Sequence, residues 1–238
     1  MIVVGHQPQY MPYLGIFNKI AKADKFVFAD NLQYARRTWQ NKTLIKSNDG
    51  REITLTVPVQ HGNFYADIKD IKVDGHSWCM KHLKSIRLNY SKTKEFDHIF
   101  PFLENIISKQ NTYLVDYTIP LMMEFIGLLK INSEIYYGSE LKITGEKTEL
   151  LIDILNKTDC DIYLSGKGAK NYFDKNIFIK NHKKHKFNNF VHPEYFQGYN
   201  GFTENLSIID MFFYNGIEKS VDIFWENINS NNLFEENI

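Results

Sequence analysis

The chain has 238 residues, 43% hydrophobic and 15% aromatic, and its 28 Lys+Arg balance 28 Asp+Glu. Zero formal charge supplies no global field for nucleic acid or an anionic membrane, so any anion site has to be local. Two isolated cysteines, Cys79 and Cys160, provide no zinc cage and suit a reducing cytoplasm. No apolar stretch reaches membrane-span length, and the start Met1-Ile2-Val3-Val4 lacks the basic region of a signal peptide.

Ile2-Val3-Val4-Gly5 reads as a buried strand, followed by a Pro-punctuated loop from His6 to Pro12. Tyr13, Leu14, Phe17, Ile20 and Ala21 then recur at helical spacing, with Pro12 suited to the first turn. Lys25-Phe26-Val27-Phe28-Ala29 is a second strand ended by Asp30-Asn31, so the opening is a βαβ unit with parallel strands. Alternation over Ile53–Val59 and Ile68–Val73 predicts short strands or a hairpin-rich excursion. From Trp78 to about Lys130 the period turns helical. Ile135-Tyr136-Tyr137 resumes the β pattern, Thr144 to Asn156 is a helix, and Asp161-Ile162-Tyr163-Leu164 is a strand. A short helix, a strand near Val191 and a helical stretch from Ser207 complete the chain. The expected fold is α/β: a Rossmann-like, doubly wound, mainly parallel sheet in one domain over 1–228, with a helical insertion at about 78–130 and a polar, frayed tail at 229–238.

In such sheets ligands bind beyond the carboxyl ends of the strands, and polar clusters follow three of the expected ends. The first holds His6, Gln7, Gln9 and Tyr10 between two prolines: an imidazole, two carboxamides and a phenol in one turn. Imidazole can donate to an anion or move a proton near neutral pH, and the helix that follows presents free N–H groups. The bland alternative is a Pro-rich loop with a capped histidine; so many polar groups directly after a first strand favour function. The second holds Asp30, Arg36, Arg37, Trp39 and Asn41, where guanidinium forks and an indole suit an anionic sugar or nucleotide, against a solvated charged loop. The third is Ser165-Gly166-Lys167-Gly168 with Tyr172, which lacks the P-loop spacing and serves a ligand or a helix entry equally well.

Farther on, Lys81-His82 lies on a helical segment, where a histidine is more often structural. His182 to Lys186 reads as a solvated face. Leu206-Ser207-Ile208 opens a core helix with a capping serine, and Asp210 is an acid out of place on an apolar background. No serine-hydrolase elbow, zincin motif or dinucleotide fingerprint occurs, and no resident metal is expected.

These same segments resemble the WbqC-like family. The carrying residues are His6-Gln7-Pro8-Gln9-Tyr10 with Pro12 and Leu14-Gly15, then Phe26-Val27-Phe28 with Asp30 and Gln33, and Arg37 with Trp39-Gln40-Asn41. They continue in Thr56-Val57-Pro58-Val59, Trp78 with Lys81-His82, Tyr163-Leu164-Ser165-Gly166 with Ala169 and Tyr172, and Leu206-Ser207-Ile208 with Asp210. The likeness runs nearly full length. Tyr13 stands where that family often has Trp, and Asn18 where a His is common. The second departure leaves position 18 without a titratable group.

The resemblance implies a bacterial protein associated with surface-polysaccharide, O-antigen-type gene clusters. That setting suits a transferase that N-acylates an amino sugar, nucleotide-linked, with a nucleotide-sugar as its small-molecule partner. The opening strand, His loop and helix are also similar to the nucleotidylyltransferase-like superfamily, which implies ATP with Mg2+ activating a small carboxylate; the second His of its H-x-x-H spacing is absent here, since Gln9 stands in its place. In that reading His6, Asp30 and His82 are catalytic. Gln7, Gln9, Tyr10, Arg36, Arg37, Trp39, Asn41, Lys81, Ser165, Gly166, Tyr172 and Asp210 bind substrate. A thioester-dependent acyltransferase and a non-catalytic sugar-nucleotide binding module are the alternatives. The sequence does not fix the oligomeric state.

Overall fold

The structure is a computed structural model. It describes residues 1–60, 62, 65–198 and 201–230, and the backbone of 234–236. Its main sheet carries β1 (Ile2–His6), β2 (Lys25–Phe28), β5 (Glu134–Tyr137), β6 (Ile162–Ser165), β7 (Lys184–Asn188) and β8 (Phe234–Glu236). The spatial order is β5-β2-β1-β6-β7-β8, with five parallel strands and β8 antiparallel to β7. Counted within the sheet, that is 3-2-1-4-5-6, the doubly wound Rossmann order.

The period-2 alternation of the strands sorts side chains onto two faces. Val4, Phe26 and Phe28 enter a large core shared with α1 (Leu14–Ala21) and the helical region α2 (Ser77–Tyr90), α3 (Phe96–Ile107) and α4 (Val115–Leu128). Val3, Val27 and Ala29 point the other way, to a smaller core. That core is built with α6 (Lys147–Lys157) and α7 (Lys175–Lys180), which follow the short α5 (Gly138–Leu141). Helices α8 (Ile208–Asn215) and α9 (Ile217–Ser230) close the first face, burying Phe212, Phe213 and Phe224.

The excursion after β2 differs from expectation in part. A two-stranded antiparallel ribbon pairs β3 (Lys42–Lys46) with β4 (Glu52–Thr56). Ile68–Asp70 is a 3-10 turn, not a strand, and only isolated bridges, such as Val59 with Val73, continue the β pattern. The strand expected near Val191 lies earlier, as β7, and His185 within it is fully buried. The solvated face read into 182–186 is therefore a strand with His185 and Phe187 turned inward and Lys184 exposed. The expected frayed tail begins inside α9, and the backbone of Phe234–Glu236 pairs with β7; residues 231–233 and 237–238 lie outside the described residues.

Candidate functional site

The chain runs outward from β1 to β2 and β5, then crosses back to β6 and β7. The direction of winding reverses between β1 and β6, so a crevice opens at their carboxyl ends. The ladder between these strands pairs Ile2 with Ile162 and Val3 with Tyr163. Further along, the Gly5 N–H donates to the Tyr163 phenol at 3.1 Å. Gly5 is needed there, because a Cβ would stand 2.8 Å from that phenol oxygen.

Beyond this point the crevice has two lobes. One, of about 540 Å³, is lined by Tyr13, Asn188, Phe190, His192, Glu204 and Asn205 among others. The second, of about 350 Å³, is lined by Leu32, Leu150, Leu151, Ile154, Tyr163 and Tyr172, with Ser165. His6, Lys19, Gly166 and Gly168 line both and form the waist.

At the waist the His6 Nδ1 lies 2.7 Å from the Gln7 carbonyl oxygen. A carbonyl only accepts, so the ring proton sits on Nδ1 and Nε2 carries a lone pair. Burial, and then the nearby Lys19 charge, push the imidazole down to about 3, with the Gln7 carbonyl pulling weakly the other way. His6 is thus a neutral imidazole across the physiological range. Lys19 is 7% exposed, and burial pushes its ammonium down to about 8.

The loop that follows is fixed by backbone-directed bonds. Gln7 donates to the Gln33 carbonyl at 2.9 Å and accepts from Gln40 at 2.6 Å, and the Gln9 N–H meets the Met122 sulfur at 3.3 Å. Met11 holds a left-handed φ of 43°, and its carbonyl accepts from the hydroxyls of Thr43 (2.7 Å) and Ser207 (2.9 Å). Ser207 precedes α8 yet makes no side-chain cap; its hydroxyl is spent on this turn instead. Gly15, in the first turn of α1, lets the Tyr13 ring lie across it, since a Cβ would fall 2.4 Å from that ring.

The structure brings His6, Gln7, Ser165, Gly166 and Tyr172 to one crevice. It places the other expected residues elsewhere. His82 is buried on α2, where its Nδ1 pairs with the Tyr10 phenol at 3.0 Å beside Trp78; burial pushes it down to about 4. Tyr10 itself is fully buried there. Asp30 accepts from the Ser139 N–H (2.7 Å) and hydroxyl (2.6 Å), tying β2 to the helix after β5. Asn41 donates to the Val57 carbonyl. Arg36, Arg37 and Trp39 stand exposed on the loop after β2, with the Lys42 ammonium 4.8 Å from the Trp39 ring centroid. Lys81 is exposed on α2. Asp210 is sealed inside, accepting from Tyr90 at 2.8 Å, and burial pushes it up to about 7 against the pulls of Tyr90, Lys46 and Tyr195.

Asn18 supplies a buried carboxamide bonded to Asn227 (3.3 Å) and Asn188 (3.1 Å), a scaffolding role that needs no titratable group. Sequence reasoning passed over Lys19 and His192. The signal for Lys19 was its company: seven of the eight α1 residues are buried, so a lysine between Asn18 and Ile20 has no solvated face.

Among the described residues no three His, Cys, Asp or Glu side chains converge to hold a metal. No helix among them is long and apolar enough to cross a membrane.

Sheet order and switch-point crevice define a Rossmann-like α/β protein with a crevice at the strand reversal. The WbqC-like protein family matches residues 7–222, and the chain belongs to that family. It is similar to the uncharacterized protein Rv1507c of Mycobacterium tuberculosis, 30% identical over 215 residues covering 89% of this chain and 93% of that protein.

Proposed function

We propose that the chain is a transferase that N-acylates an amino sugar, nucleotide-linked, after ATP activates a small carboxylate. The observation that carries this reading is the lone pair on His6 Nε2 at the waist between two lobes. Amide formation brings two substrates together and releases one proton. In the first step the carboxylate displaces pyrophosphate from ATP and becomes an acyl adenylate. In the second the amine adds to the acyl carbon, AMP leaves, and the amine gives up a proton. As the amine attacks, its N–H becomes more acidic than in the free amine, and the neutral His6 imidazole offers the lone pair that accepts that proton. Mg2+ would travel with the ATP phosphates.

Asp30 and His82 have no part in this scheme, because neither lines the crevice.

The test is incubation with ATP, small carboxylates including amino acids, and a panel of nucleotide-linked amino sugars. Pyrophosphate release with a matching mass gain on the sugar is expected, reduced at least 100-fold in His6→Asn. Mass gain from acyl-CoA without ATP would keep the N-acylation and remove the adenylate. No mass gain across both panels would overturn the reading.

A further inference from the structure

Lys19 has no role in the proton transfer above, yet it occupies the centre of the site. It lines both lobes and is 7% exposed, and no carboxylate or other acceptor among the described residues pairs with it. A buried, unpaired ammonium is costly, and an incoming anion relieves that cost.

The surroundings suit one. Gly15 and Ile16, in the first turn of α1, line the larger lobe; the Ile16 N–H donates to the Tyr13 carbonyl at 3.2 Å, which leaves the Gly15 N–H as the first-turn donor there without an intrahelical acceptor. Gly166 and Gly168 face the waist from the opposite side. A Cβ at either would meet open space, so a ligand can approach the backbone closely. Lys167 between them adds a second positive charge to the larger lobe.

The two lobes differ in chemistry. The smaller is walled by Leu32, Leu150, Leu151 and Tyr172, which suits a flat base. The larger offers Asn188, His192, Glu204 and Asn205, which suits hydroxyls and an amine. A ligand with a central anion and two unlike ends fits this shape.

We propose that the waist is a diphosphate subsite anchored by Lys19, with the nucleoside end of the ligand in the apolar lobe and the sugar end in the polar lobe. This deepens the function proposed above only in naming where its nucleotide-bearing substrate is gripped. It stands or falls on binding, not on turnover.

The titratable groups that share the crevice are His6, Lys167, His192, Glu204 and the phenols of Tyr13, Tyr163 and Tyr172. Burial holds His6 down at about 3, lowers His192 below its ordinary value and raises the three phenols above theirs. Lys19 loses its charge near pH 8, so bound anion should be lost as pH rises through about 8.

Calorimetric titration with inorganic pyrophosphate at pH 6.5 and pH 9 tests this on the full chain. Lys19→Met should bind at least tenfold more weakly than wild type at pH 6.5. Lys19→Arg, which stays charged, should bind within threefold of wild type at pH 6.5. Relative to Lys19→Arg, which cancels the titration of pyrophosphate itself, wild type should weaken about tenfold between the two pH values. Melting temperatures of each variant establish that it is folded. The subsite is overturned if wild type does not bind pyrophosphate at millimolar concentration. It is also overturned if a folded Lys19→Met binds like wild type, or if wild type and Lys19→Arg share one pH dependence. Pyrophosphate binding without amide formation would remove the proposed function and leave the subsite standing.

Discussion

The His185 Nε2 lies 2.8 Å from the Ser165 Oγ, while Nδ1 of the same ring has no hydrogen-bond partner. The ring is stacked on Phe173 at 4.0 Å and edged by Phe178 and Phe187, and burial pushes its pKa down to about 4. With a neutral ring and no acceptor for Nδ1, placing the proton on Nε2 avoids a stranded N–H. His185 then donates to Ser165, and the serine directs its own proton toward the crevice. A nucleophilic serine needs the opposite polarity, with a base lone pair on Nε2 and an acceptor holding Nδ1.

That polarity suits Ser165 as a hydrogen-bond donor rather than as a nucleophile. A serine-directed fluorophosphonate should leave the protein mass unchanged, and Ser165→Ala should weaken ligand binding by about fivefold without abolishing it. A phosphonylated Ser165 in the digest would contradict the assigned polarity.

Buried neutral imidazoles make the fold acid-sensitive. The folded-state pKa values of His82 and His185, both about 4, lie below the ordinary 6.5, so the unfolded chain binds more protons between those values. Stability present above pH 6.5 is therefore lost as pH falls toward 4, by up to about 3 kcal/mol for each ring. Urea denaturation at pH 7.5 and 4.5 measures this, and His185→Phe should flatten part of the slope. Because Asp210 titrates with the opposite sign over the same range, the comparison of slopes decides: an identical slope in wild type and His185→Phe would mean that this ring is solvated.

Asp210 has the opposite sign. Its folded pKa, about 7, lies above the ordinary 3.8, so stability present at low pH is lost as pH rises between the two. Asp210→Asn keeps an acceptor for Tyr90 and carries no charge. It should raise stability by about 1 kcal/mol at pH 8.5 and change it little at pH 4. Denaturation of the two proteins at both pH values decides; a variant that is less stable at pH 8.5 would show that the carboxylate is well paired.

Gly15→Ala should force the Tyr13 ring off the first turn of α1, costing about 1–3 kcal/mol. The double variant Tyr13→Ala/Gly15→Ala removes the clash, and its cost should fall short of the sum of the single variants. Strict additivity in thermal denaturation would place the strain elsewhere.

Much of this fold is readable because local and global signals agree. Ile2–Gly5, the α1 stripe and Lys25–Ala29 carry β and α periods strong enough to give the βαβ opening, and the convergence of His6 with Ser165 follows from strand order alone. The departures arise where composition masks burial. Three lysines around His185 look like solvent, although the alternation of β7 turns the histidine inward. His82 and Asp210 look reactive because they are titratable, but their partners, Tyr10 and Tyr90, are tertiary neighbours 72 and 120 residues away. Lys19 was hidden by the reverse effect: a lysine beside apolar positions passes for the wet side of a helix that here has almost none.

The turn at Met11 has a consequence for biosynthesis. Its strained backbone is held by hydroxyls from Thr43 and from Ser207, the latter 196 residues downstream, and the Ile208 N–H closes onto the Pro12 carbonyl. This loop therefore takes its full shape only once a segment 196 residues further along has been made and docked. A nascent chain released before residue 207 lacks those contacts however well its strands have paired. Such long-range closure slows folding and leaves the loop exposed meanwhile. The Met11 turn is in this sense a report on distant segments: it is complete only in molecules in which Thr43 and the start of α8 have both docked onto it.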